Sequence, residues 1–200
     1  MKKFFAALMF VFIFAANNFV CAEPTEKFSD TQYESIVAYT ENNPLFADKN
    51  AATLPIDFAA FQNNFNTFIK NFLADSNVGD NLGAAQEFLL LNNPQITKQG
   101  GNDIFTKGYI NQIAIVGVST ADSNIKLLNI FFLPEKSKED AVVKSLIVHA
   151  FVKGVAPDCD TEKLFDAINE DMNKPVIVGN VKFSAGAIGD INVLTASVAN

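Results

Sequence analysis

An α+β fold, with an antiparallel sheet carrying helices on one face, is what this sequence predicts. Three observations lead there. Phenylalanines recur at helical spacing between Asp57 and Ala74. A second helical stretch follows Ser137, with apolar residues at Val143, Leu146, Ile147, Ala150 and Phe151. Most of the remaining chain consists of short runs rich in Ile, Val and Phe, separated by Gly, Asn and Asp, which is the pattern of strands joined by tight turns.

Taken in order, the chain opens with a secretory signal peptide over residues 1–22. Lys2 and Lys3 give the positive start, Phe4 to Ala16 is an apolar run too short to span a bilayer comfortably, and Val20-Cys21-Ala22 is a small-residue cleavage site. Cleavage there makes Glu23 the first mature residue. A lipoprotein reading of Cys21 needs a small residue just before it, where this chain has Phe19-Val20.

Residues 23–53 read as a polar, loosely packed N-terminal arm. Thr31-x-x-Glu34 has the form of a capping box for one short helix through Ile36, Val37 and Tyr39, and Asn42-Asn43-Pro44 is expected to end it. Residues 54–200 form a single globular α+β domain. Its first helix carries Phe58, Phe61, Phe65, Phe68 and Phe72 on one stripe, at spacings of 3, 4, 3 and 4, with Ile69 beside them. Asn63, Thr67, Lys70 and Asn71 face away, and Asp57 is placed to cap the helix.

A β-rich stretch follows. Glu87 to Leu91 is a short apolar run stopped by Asn92-Asn93-Pro94. Asp103 to Tyr109, Gln112 to Ser119 and Ile125 to Leu133 read as three strands of a sheet with one buried face. Ser137-x-x-Asp140 is a second capping box, opening a helix that is apolar on most sides and hence central. Gly154 is expected to end it, with Pro157 just beyond. Asp160 or Thr161 caps a shorter helix through Leu164, Phe165 and Ile168. Val176 to Val178, Val181 to Ile188 and Ile191 to Val198 form a meander with turns at Gly179-Asn180 and Gly189-Asp190. The order helix, strands, helices, strands suggests a faint internal duplication.

With Phe65-Asn66 in the first helix, Pro157-Asp158 after the middle one, and Gly179 to Ser184 in the last hairpin, the layout resembles small secreted bacterial α+β domains of unknown function. That resemblance covers about 130 residues. It implies an exported α+β domain and assigns no functional residue.

Composition narrows the classes of function. Every basic residue is a lysine, and loss of Lys2 and Lys3 takes the net charge from −7 to −9. Without arginine and with an acidic total, the chain lacks what nucleic acids and anionic membranes select, so neither is an expected partner. No later apolar stretch is long enough to span a bilayer, so no transmembrane segment is expected in the mature chain. No N-x-Ser/Thr acceptor occurs, which fits a bacterial secretory route. Cys159 is the one cysteine left after cleavage, so no internal disulfide forms and an intermolecular thiol is open to it.

No catalytic residue, cofactor or metal site is assigned by motif. His149, the lone histidine, could serve Cys159 as a base ten residues earlier. Asp158 and Asp160, however, oppose the thiolate, and no oxyanion motif accompanies the pair. Asp158-x-Asp160-x-Glu162 starts like a calcium loop, yet Lys163 stands where such a loop needs glycine and Asn169 where it needs glutamate, so helix capping explains it. The stripe Phe58, Phe61, Phe65, Phe68 and Phe72 is read as core, with a ligand or partner face as the alternative.

The expectation is an exported, periplasmic or extracellular bacterial domain, non-catalytic, that binds another envelope or extracellular protein or serves as a structural envelope domain. The alternatives are a carrier of a small hydrophobic ligand in an aromatic-lined pocket and a hydrolase with carboxylate catalysis.

Overall fold

Seven antiparallel strands form one sheet in the computed structural model, which describes residues 27–75, 83–109 and 112–199. The expected signal peptide and most of the loop after Asp75 lie outside the described residues. Strands β1 (Gln95–Gln99), β2 (Asn102–Tyr109), β3 (Ile113–Ser119) and β4 (Ile125–Phe132) make one meander, and β5 (Val176–Val178), β6 (Val181–Ile188) and β7 (Ile191–Val198) make another. The two meet where β4 pairs with β7, giving the order β1-β2-β3-β4-β7-β6-β5. The helices are α1 (Asp30–Glu41), α2 (Pro44–Ala47), α3 (Phe58–Asp75), α4 (Lys138–Val155) and α5 (Thr161–Glu170), with a 3₁₀ helix at Gly83–Leu89. The α+β class stands. The element order does not by itself establish the duplication: one half has four strands, the other three strands and an extra helix.

Helices α3, α4 and α5 share one face of the sheet. Phe61, Phe65, Ile69, Leu146, Phe151 and Leu164 pack there with Phe105, Ile115, Ile130, Phe183 and Leu194. Helix α3 begins as its sequence predicts: Asp57 Oδ1 accepts the Ala60 N–H at 2.7 Å. Gly154 does not end α4. It lies inside the helix, where a Cβ would fall 2.6 Å from the Phe61 ring, so its missing side chain lets α3 and α4 approach closely. Val155 ends the helix and Pro157 follows.

The N-terminal arm covers the opposite face. Ile36 of α1 is 1% exposed and packs with Ile104, Val116, Phe131 and Val193, joined by Phe28, Tyr39 and Phe46. Two polar contacts hold α1 across the strands. Gln32 Nε2 donates to Asp190 Oδ2 in the β6–β7 turn, and Gln99 Nε2 of β1 donates to Glu41 Oε1. The expectation of a loose arm therefore fails, and with it that of a sheet buried on one face: every residue of β3 is buried.

Several local readings shift by a few residues. The capping box of α1 is Ser29-x-x-Gln32, not Thr31-x-x-Glu34, because the helix starts two residues earlier. Helix α1 ends at Asn42-Asn43-Pro44 as expected, with Asn42 as its C-cap, and Pro44 then opens α2 at a position where its missing N–H costs nothing. Ser137 caps α4 through the Asp140 N–H, but the Asp140 carboxylate reaches Lys136 N and Lys144 Nζ, so the reciprocal half of that box is absent. The run at Glu87 to Leu91 is largely 3₁₀ helix. Strand β1 escaped the sequence reading because all five of its residues are exposed and carry no apolar alternation.

Candidate functional site

The phenylalanine stripe faces inward. Phe61 and Phe65 are fully buried, Phe72 is buried, and Phe58 and Phe68 are partly buried against the same core. Phe61 meets Phe151 edge-on at 6.0 Å between centroids, and Phe58 lies 4.4 Å from Phe105. As placed, these side chains are core and present no open ligand face.

The other sequence candidates are also structural in their surroundings. Cys159 is 3% exposed, its thiol pushed up from the ordinary value by burial, with Asp160 adding to the effect and Lys153 opposing it. An intermolecular cross-link through it would first require that turn to open. His149 Nδ1 donates to the Ser145 carbonyl at 2.7 Å, and its ring lies edge-on to Phe165. Burial lowers its pKa from the ordinary value. Asp160 caps α5 by accepting the Lys163 N–H, the role the acidic run was expected to play. Among the described residues, no group of three or more His, Cys, Asp and Glu gathers as a metal ion would require.

A sizeable recess lies elsewhere, at the end of the sheet beneath the start of α1. It is a cavity of about 600 Å³, lined among others by Phe28 and Tyr33 of the arm, Phe88 of the 3₁₀ helix, and Lys107, Tyr109 and Ile113 of β2 and β3. A smaller recess of about 160 Å³ continues between α1 and β1–β2, with Tyr33 and Thr106 common to both. Phe88 is 69% exposed and Tyr33 45%, high values for aromatic side chains that line one recess.

Strand pairing explains why the recess exists. Strand β1 pairs with β2 only from Asn102 to Thr106. Lys107, Gly108 and Tyr109 continue beside β3 with no β1 residue opposite. The chain before β1 turns away at Asn93, whose φ is +48°. Lys107 Nζ holds that turn by donating to the Asn92 carbonyl at 2.9 Å, and it sits 5.9 Å from the Tyr109 ring centroid. Burial lowers the Lys107 pKa. The Tyr109 ring stacks near Phe65, but its hydroxyl is buried without a hydrogen-bond partner, and burial holds its pKa well above the ordinary value.

The sequence reading brought none of Tyr33, Phe88, Lys107 and Tyr109 together. The usable signal was Phe88, a large apolar residue in a run too short to bury every side.

Comparison with protein-family models, with curated proteins and with solved structures finds no match to this chain.

Proposed function

We propose that this protein is an exported, non-catalytic binding module that holds an extended segment of another envelope or extracellular protein. The observation supporting this is the open edge of β2 at Lys107–Tyr109 beside a recess lined by exposed aromatic side chains. An unpaired strand edge offers main-chain donors and acceptors to an incoming strand, and the adjacent apolar recess accepts its side chains. Tyr33 and Phe88 are the anchors, since large, accessible aromatics dominate such interfaces. The missing arginines and the acidic balance argue for a protein partner over nucleic acid or anionic lipid.

A second reading, a carrier of a small hydrophobic ligand, is favoured by the size of the recess. About 600 Å³ lies within the roughly 300–1,000 Å³ usual for small-molecule sites. The hydrolase reading gains no support there, because Asp30 is the one carboxylate among the residues lining that recess.

Native mass spectrometry of the protein isolated from its own host tests the proposal. A bound polypeptide present on the wild type and lost from Tyr33→Ala and Phe88→Ala, with melting temperatures unchanged, is the expected result. A small non-covalent mass lost on denaturation would replace the partner with a carried ligand. Retention of the polypeptide by both variants would remove this recess as the site.

A further inference from the structure

We infer a second, separate site: a pocket for a phosphate group at the β1–β2 hairpin, built around the buried Lys126. Lys126 is 2% exposed. Its Nζ donates to the Asp48 carbonyl at 2.7 Å and to Asn102 Oδ1 at 2.8 Å. Both acceptors are neutral. Asn102 is held in the accepting orientation because its own Nδ2 donates to the Phe46 carbonyl at 2.8 Å.

A buried ammonium ordinarily needs a counter-charge, since desolvation of an unpaired ion costs more than neutral acceptors return. Among the described residues, no carboxylate lies within ion-pair distance of Lys126. The carboxylates adjacent in sequence to its partners are used elsewhere. Asp48 Oδ1 accepts the Asn50 N–H, and Asp103 Oδ1 pairs with Lys98. An ammonium has three donors, and two of them are accounted for.

Open space adjoins Lys126. Lys126 lines a recess of about 270 Å³ with Lys49, Gly100, Gly101, Asn102 and Thr120. No acidic side chain is among those residues. Thr120 contributes a hydroxyl that is buried without a partner. Its backbone is already committed, its N–H to the Asn124 carbonyl and its carbonyl to the Ser123 N–H. Gly100 and Gly101 turn the hairpin at φ +60° and +85°, and no side chain from either position closes the mouth.

Two lysines and an unpartnered hydroxyl among the residues of a small recess suit a compact oxyanion with several acceptors. Phosphate fits better than a planar carboxylate, because lysines act as point charges and no arginine fork is present. The volume holds an anion of a few heavy atoms, given about 30 Å³ for one water. This site is independent of the aromatic recess and survives if that recess proves empty.

Titration with inorganic phosphate, followed by calorimetry and by melting temperature against sodium chloride at matched ionic strength, tests the inference. Saturable binding is expected, weakened about tenfold or more by Lys49→Ala, the loss of one charge-assisted hydrogen bond. Thr120→Val carries the sharper signature. It should leave the phosphate-free protein as stable or more stable, since it deletes an unsatisfied buried hydroxyl, and still weaken phosphate. Both variants leave Lys126 in place, so neither depends on tolerating a change at a buried lysine. Glycerol phosphate is the second probe: tighter binding than inorganic phosphate assigns the site to a phosphomonoester, and weaker binding assigns it to the free ion. A melting temperature that tracks ionic strength alone, or phosphate affinity unchanged in both variants, overturns the site.

Discussion

On one face of the sheet, α3, α4 and α5 close over Phe61, Phe65, Phe105, Phe151 and Phe183, and apolar contact does the holding. On the other, α1 and α2 lie over a row that is partly polar. Tyr39 donates its hydroxyl to Thr195 Oγ1 at 3.5 Å, and Thr195 donates to Asn129 Oδ1 at 2.8 Å. Asn129 is fully buried, and its Nδ2 has no partner. The aromatic face is filled by its own side chains as far as the open end of β2, where Tyr109 and Ile113 line the larger recess. The second face holds α1 by directional bonds as well as by the apolar cluster around Ile36; the smaller recess lies along it, and the larger one wraps the open edge of β2 between the two faces. The recesses thus gather beside α1 and the open edge of β2, away from the centre of the aromatic layer.

The largest effect should come from the aromatic face. Phe65→Ala deletes a fully buried ring and should cost about 3–5 kcal/mol, read as a lower urea midpoint at constant slope. A loss below about 1 kcal/mol would mean that this face is less tightly filled than its burial indicates.

Gly117→Ala tests the same face by adding volume. A Cβ there would fall 1.9 Å from the tip of the Phe105 ring. The expected cost is about 1–3 kcal/mol, partly restored by adding Phe105→Leu. No recovery in the double variant would place the strain in the strand backbone.

The polar face should respond through unmade bonds. Thr195→Val leaves the buried Asn129 Oδ1 without its donor and should cost about 1–3 kcal/mol. Thr195→Val combined with Asn129→Leu replaces both groups and should restore much of that loss. If the double variant is as unstable as the single one, α1 is held by something other than this chain of bonds.

The two faces also differ in how legible they were from sequence. The stripe from Phe58 to Phe72 has a helical period, and its outward residues Asn63, Thr67, Lys70 and Asn71 are indeed exposed. Strands β5, β6 and β7 fall where their valine and isoleucine runs and glycine turns put them. The covered second face left no comparable trace. Its helix α1 contributes Ile36 and Tyr39 among polar neighbours, too few apolar positions to mark a packed surface. The recess depends on β1 beginning only at Gln95, opposite Thr106 of β2, and the phosphate pocket on Lys126 meeting Asn102 across 24 residues. Neither relation has a local pattern, since each is fixed by where distant segments end.

The smallest effect tests whether the aromatic layer also responds to pH. His149 sits on α4 against Phe165. Burial lowers its pKa and Lys153 lowers it further, while its bond to the Ser145 carbonyl and the nearby Glu162 pull it upward. The unfolded chain, with an ordinary histidine pKa of about 6.5, therefore binds the proton more readily than the folded one. Stability from this group is present above about pH 6.5 and falls as pH drops toward the folded value. His149→Gln removes that contribution, so the melting temperature of the variant should decline less than that of the wild type between about pH 7 and pH 5. Parallel curves would show that carboxylates alone set the acid response, and that the aromatic face is indifferent to protonation.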